Sequence, residues 1–127
     1  MKYLCLGYLD EEAWRSLSDA ERDGLVDECF AYDKMLRDGG HFVDGHALQS
    51  PDAATVVRSH NGKVSITDGP FAETKEQLGG LFVMEATDLN HAIQLMSKHP
   101  GTRMGPFEIR PIDEEFTARV NANLDDA

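Results

Sequence analysis

The chain has 127 residues, enough for one domain with a single core. Its 41% hydrophobic and 28% charged content is that of an ordinary globular protein in water. A formal net charge of −11 speaks against phosphate-backbone binding, which needs a cationic surface, so no nucleic-acid partner is expected.

Met1 to Leu9 is too short for a signal peptide and lacks its basic flank. No apolar run approaches the roughly 18 residues of a membrane span. A cytoplasmic location without a membrane partner is the expectation. Tyr3 to Leu9 reads as a strand with apolar residues on both parities, as in a strand covered on both faces. Ser18 and Glu21 form a capping box that opens a helix, and Leu25, Cys29, Tyr32 and Leu36 recur at helical spacing. Val26 and Phe30 widen that stripe, and Gly39-Gly40 ends the helix. Cys5 and Cys29 are expected as buried free thiols in a reducing compartment. No Cys/His metal spacing is present, so neither metal nor cofactor is expected.

His41 to Leu48 is a strand interrupted by Gly45, and Pro51-Asp52 breaks the chain. Thr55 to His60 and Lys63 to Thr67 make a hairpin around Asn61-Gly62, the strongest two-residue turn signal. A loop from Asp68 to Gln77 follows, then a strand from Leu81 to Ala86, again apolar on both parities. Asp88 caps a second helix, with Leu89, Ala92, Ile93 and Met96 as its inward stripe and Pro100-Gly101 as its stop. His99, in the last turn, suits the helix dipole as a cation. Phe107 to Ile112 is the last strand. Asp113 caps a C-terminal helix carrying Phe116, Val120 and Leu124. The domain is expected over residues 1–112, with a short helix and tail over 113–127.

The order is strand, helix, several strands, helix, strand. Two helices cover one face of such a sheet, yet the strands read as buried on both. A second copy of the chain, set sheet against sheet, is the economical cover, so a homodimer is expected.

The run Asp68-Gly69-Pro70-Phe71-Ala72-Glu73-Thr74-Lys75-Glu76 holds a turn, one aromatic ring and four charged side chains. Gly69-Pro70 keeps the chain out of the helical region, so the run is a shaped polar loop, where sites are often built. Asp68 has two readings. It is a general base or ligand-binding carboxylate at a strand end, or it folds back onto the N–H of Phe71 or Ala72 and holds the turn. Glu73 is the second candidate for proton transfer. Phe71, Thr74, Lys75 and Glu76 are candidate ligand contacts, as are His46 and His60 if they face the loop. Against each stands the plain reading: Phe71 as a core plug, and the charges as a solvated face.

The same run, continued through Gln77-Leu78-Gly79-Gly80, resembles the YCII-related proteins, specifically their DGPF branch. Lys2-Tyr3-Leu4, Leu48-Gln49 and Glu108-Ile109-Arg110-Pro111 support the resemblance, which covers about the first 112 residues. It implies an α+β, ferredoxin-like sheet with two helices on one face, paired into a dimeric α+β barrel. That superfamily also includes small enzymes acting on aromatic or lactone compounds, some without cofactors. Many DGPF-branch proteins resemble companions of extracytoplasmic-function sigma factors, which implies a stress-linked regulatory role. The family's prototypes pair a histidine in the first helix with an aspartate near its end. Asp38 matches the aspartate, but no histidine precedes His41, so that dyad is not carried over. Two functions stand open. One is a small-molecule pocket beside the loop with proton-transfer chemistry. The other is a non-catalytic ligand sensor or interaction protein.

Overall fold

The computed structural model describes residues 1–126; Ala127, the end of the expected tail, lies outside the described residues. Strand β1 (Lys2–Asp10) leads into a short helix α1 (Glu11–Ser16), then the long helix α2 (Asp19–Asp38). Strand β2 (Phe42–Ala47) is followed by the hairpin β3 (Thr55–His60) and β4 (Lys63–Asp68). Strand β5 (Glu76–Glu85), helix α3 (Leu89–Ser97), strand β6 (Phe107–Pro111) and helix α4 (Glu114–Asp125) complete the chain. Four strands form one antiparallel sheet in the order β2-β5-β1-β6, while β3 and β4 form a separate two-stranded sheet. This is a ferredoxin-like α+β arrangement.

Local chemistry places the helices. The Ser18–Glu21 capping box is complete: the Glu21 N–H donates to Ser18 Oγ at 3.1 Å, and Glu21 Oε1 accepts from the Ser18 N–H at 2.9 Å. Asp88 caps α3 through the His91 N–H at 2.8 Å, and Asp113 caps α4 through the Phe116 N–H at 2.8 Å. Helix α1 was not anticipated. Its signal is Asp10, which accepts from the Ala13 N–H at 3.2 Å ahead of an acidic first turn. The β3–β4 turn falls at Asn61-Gly62, both with positive φ, as a two-residue hairpin requires.

The core lies between the sheet and helices α2 and α3, at one end of the sheet. Tyr3 and Cys5 from β1, Phe82 and Met84 from β5, Leu36 from α2, and Ala92 and Met96 from α3 form it. Burial of each large side chain there contributes roughly 1.5–3 kcal/mol. The helix stripes are narrower than their periodicity suggested: Phe30, Leu89 and Ile93 are exposed. Leu4, Leu6, Leu81 and Val83, on the opposite face of the sheet, are only half buried within one chain.

The other end of the helix-side face is floored by small residues. Gly7 and Gly80 sit opposite each other in β1 and β5, and Ala47 of β2 is paired with Gly80. Gly45 lies opposite Phe82. These positions share the face that carries Cys5 and Phe82, because side chains alternate along a strand and directly paired residues point the same way. At these positions the sheet carries little or no side chain toward α2, and a hollow remains between them.

Candidate functional site

That hollow is a cavity of about 600 Å³ between α2 and the sheet, within the roughly 300–1,000 Å³ of small-molecule sites. Trp14, Phe30, Phe42, Phe82 and Phe107 give it aromatic walls. Gly7 and Gly45 admit two of these rings: a Cβ on Gly7 would lie 2.8 Å from the Phe107 ring, and one on Gly45 would lie 2.6 Å from the Phe42 ring. Phe42 stacks on Phe82 with centroids 4.8 Å apart.

The polar groups on the wall centre on His99 and Asp33. His99 follows α3 and is 5% exposed. Its Nδ1 accepts the Gly101 N–H at 3.0 Å, and its Nε2 lies 2.8 Å from Asp33 Oδ1 on α2. A backbone N–H only donates, so Nδ1 holds a lone pair and Nε2 carries the proton toward Asp33. The Tyr32 and Phe107 rings flank the imidazole at 5.3 and 4.9 Å, and the Tyr32 hydroxyl is held by the Leu95 carbonyl. His99 is therefore a buried, doubly bonded histidine. The helix-dipole role expected for it does not describe its surroundings.

Cys29 also lines the cavity. Burial, reinforced by Asp33, pushes its thiol above the ordinary range, so it stays protonated and is a poor nucleophile at neutral pH. Cys5, in the core, is pushed up to about 12 by burial. Tyr8 donates to Glu108 Oε1 at 3.2 Å, and burial together with that carboxylate raises its hydroxyl as well. Among the described residues no lysine or arginine lines the cavity, and no cluster of three or more His, Cys, Asp or Glu has a metal-binding arrangement.

The residues singled out from the sequence occupy a different place. Pro70, Phe71, Thr74, Glu76 and Gln77 line a second hollow of about 590 Å³, together with Tyr8 and residues Leu48 to Pro51. Asp68 and Glu73 line neither cavity. Asp68 ends β4 opposite Thr55, exposed to solvent. Phe71 is 76% exposed and lies under the Arg58 guanidinium, 5.0 Å from its centroid. Lys75 Nζ reaches Asp10 Oδ2 at 3.4 Å, beside the cap of α1. The Ala13 N–H chiefly, with Lys75 adding, holds Asp10 below the usual carboxylate range.

The Thr74 hydroxyl donates to the Glu76 carbonyl at 2.6 Å. His46 sits at the rim of the first cavity, 3.4 Å from Asp44, whereas His60 pairs with Lys63 at the far tip of the hairpin. The loop is tied by Gln77, whose amide donates to the Ala72 and Thr74 carbonyls at 2.8 and 3.0 Å. Gly69, with a φ of 98°, makes its turn. The histidine and aspartate that do meet are 66 positions apart, and no spacing rule joins them.

The fold that frames this cavity is a ferredoxin-like α+β domain. The chain belongs to the YCII-related family: the profile of the YCII-related domain matches residues 1–116. An uncharacterised protein of Rhizobium meliloti (strain 1021) is 31% identical over 116 residues, spanning 88% of this chain and 92% of that one. Among solved structures, the chain is similar to the 5-chloro-2-hydroxyhydroquinone dehydrochlorinase TftG of Burkholderia phenoliruptrix AC1100, in complex with 2,5-dihydroxybenzoquinone. That likeness has a TM-score of 0.51 and 13% identity, over 89% of this chain and 94% of the other, and it concerns the fold. No helix among the described residues is long and apolar enough to cross a membrane.

Proposed function

We propose that the protein binds a small ring compound in the cavity between α2 and the sheet and moves a proton on it. The observation that carries this reading is the His99–Asp33 pair, in which a buried imidazole meets a half-buried carboxylate on a mostly apolar wall. Cavities with a few convergent polar groups are where ligands bind. The step requires no group beyond these side chains. A ligand O–H or C–H bond breaks, the proton passes to a carboxylate oxygen of the protein, and the electron pair stays on the ligand. The ring compound bound by the dehydrochlorinase of similar fold is of a size this cavity accommodates.

The competing position for the ligand is the Asp68–Glu76 loop, with Asp68 and Glu73 as acid–base groups, although neither lines the hollow beside Phe71 and Thr74. We assign the chain to the DGPF branch on residues Asp68–Gly80, and we place it in the cytoplasm as a homodimer. The half-buried second face of the sheet supports that pairing. One observation favours a non-catalytic, partner-binding role linked to sigma-factor or stress regulation. Val57, Val64 and Ile66 stand 68%, 66% and 71% exposed on one face of the hairpin, an apolar surface that a partner would cover.

A thermal-shift screen with uncharged phenols, lactones and aromatic acids tests the assignment. The expected result is stabilisation by at least one ring compound that is lost in Asp33→Ala and kept in Asp68→Ala and Glu73→Ala. Loss in the latter pair alone would move the site to the loop. No hit in any class would favour the partner-binding role.

A further inference from the structure

The two nitrogens of His99 are both engaged, and the two oxygens of Asp33 are not. Nδ1 is held by the Gly101 backbone and Nε2 by Asp33 Oδ1, so the imidazole has no lone pair or proton left to offer a ligand. Asp33 Oδ2 makes no hydrogen bond to any described residue, although Asp33 forms part of the cavity wall. The half-exposed Asp33 carboxylate, on the cavity wall, thus keeps one oxygen free to accept a hydrogen bond.

We infer that Asp33 is the group that meets the ligand, that His99 is the positioning residue that orients it, and that the ligand is an uncharged ring molecule carrying an acidic hydroxyl. This rests on the reading of the α2–sheet cavity as the binding site.

The ligand class follows from the charges that face Asp33. On its own helix the neighbours one turn away are Cys29, whose thiol stays protonated, and Arg37, whose guanidinium lies over the Phe42 ring, 4.9 Å from its centroid, outside the cavity wall. From the segment after α3 comes His99, neutral in the tautomer its bonds fix. Across the cavity stand Tyr8, whose hydroxyl is turned to Glu108, and His46 at the rim beside Asp44. Arg103, the cation that bears on Cys29, is paired through both terminal nitrogens with Glu28 at 2.8 and 2.9 Å. An anionic ligand would therefore meet a carboxylate with no lysine or arginine in the wall to offset the repulsion. A neutral ligand with a hydroxyl can donate to Asp33 Oδ2, which no described residue occupies.

The geometry around His99 looks built for this orienting role. A Cβ at Gly101 would stand 3.1 Å from both Nδ1 and the Phe107 ring, so glycine is what lets the backbone N–H approach the imidazole. Tyr32 and Phe107 fix the ring plane from either side.

Three matched probes test the inference by calorimetry: para-nitrophenol, para-nitrobenzoate and para-nitroanisole. In mildly acidic solution the neutral phenol is expected to bind on the order of tenfold or more tighter than the other two. Its affinity should fall in alkaline solution, where the phenolate meets Asp33. The absorbance of the bound probe should show it ionising at higher pH than the free probe. Asp33→Asn should flatten that pH dependence. His99→Ala should weaken binding without flattening it, and His99→Gln, which keeps a side-chain N–H donor, should restore it in part.

Equal or tighter binding of para-nitrobenzoate overturns the ligand class. An unaltered pH dependence in Asp33→Asn overturns the role of Asp33. The wild-type comparison of the three probes stands even if a variant does not fold. If none of the three binds wild-type protein, the cavity assignment itself fails, and this inference fails with it.

Discussion

At the scale of single residues, the pairing of His99 with Asp33 matters for stability as well as for binding. His99 is buried between two aromatic rings and satisfies both Gly101 and Asp33. His99→Ala removes the ring and leaves a buried N–H and a carboxylate without partners. The expected loss is on the order of 2–4 kcal/mol, read from urea unfolding. Asp33→Asn keeps shape and an acceptor, so its expected loss is smaller, about 1 kcal/mol. Equal losses would mean that the pair is not the joint seen here. Sequence reasoning reached neither residue, because their meeting is tertiary: α2 and the turn after α3 bring together positions with no local relation. Nothing in the local pattern singles out Asp33, and His99 reads as a helix-end cation.

Elements show the complementary pattern. Features written in a few adjacent residues were legible: the capping box at Ser18, the Asn61-Gly62 hairpin, and the caps at Asp88 and Asp113. Strand β5 begins at Glu76, five positions before the expected strand, because Gly79-Gly80 carry no side chains to continue the apolar alternation. Those glycines, silent in a hydrophobicity pattern, help form the floor of the cavity. Small residues there differ in tolerance. Gly45→Ala would put a methyl 2.6 Å from the Phe42 ring and 2.9 Å from Phe82 Cβ, costing about 1–3 kcal/mol. Gly80→Ala meets nothing nearer than 3.3 Å, so it should fold with little loss while narrowing the site. Chemical denaturation of the two variants checks this order; a costlier Gly80→Ala would place the hollow elsewhere. Ser18→Ala, which deletes one half of the capping box, should cost about 1 kcal/mol.

On the scale of the whole molecule, acid and association are the two responses to expect. Hydrogen bonds from Ser18 hold Glu21 below its ordinary range, Arg103 does so for Glu28, and the N-terminal ammonium does so for Glu85. A carboxylate lowered in the folded state contributes stability that is full above its unfolded value, near roughly 4.3, and is lost as pH falls through the folded value. Melting temperature should therefore be flat across neutral pH and fall on acidification below about 4.5. Glu21→Gln should make that fall shallower; an unchanged profile would remove Glu21 from the account.

The proposed homodimer would sediment as a species of twice the 14.1 kDa chain mass at micromolar concentration. A charge placed on the half-buried sheet face, as in Leu6→Asp, should disperse it. A monomer in the wild type would contradict the pairing.

The claim on which the rest depends is that ligands enter between α2 and the glycine-floored sheet and not beside the Asp68–Glu76 loop. Amide chemical-shift mapping during titration with a neutral phenol separates the two most directly. The account predicts that the largest shifts gather on Gly7, Cys29, Gly80 and Gly101, which surround the first cavity. Shifts gathered instead on Phe71, Thr74 and Gln77, around the second hollow, would contradict it.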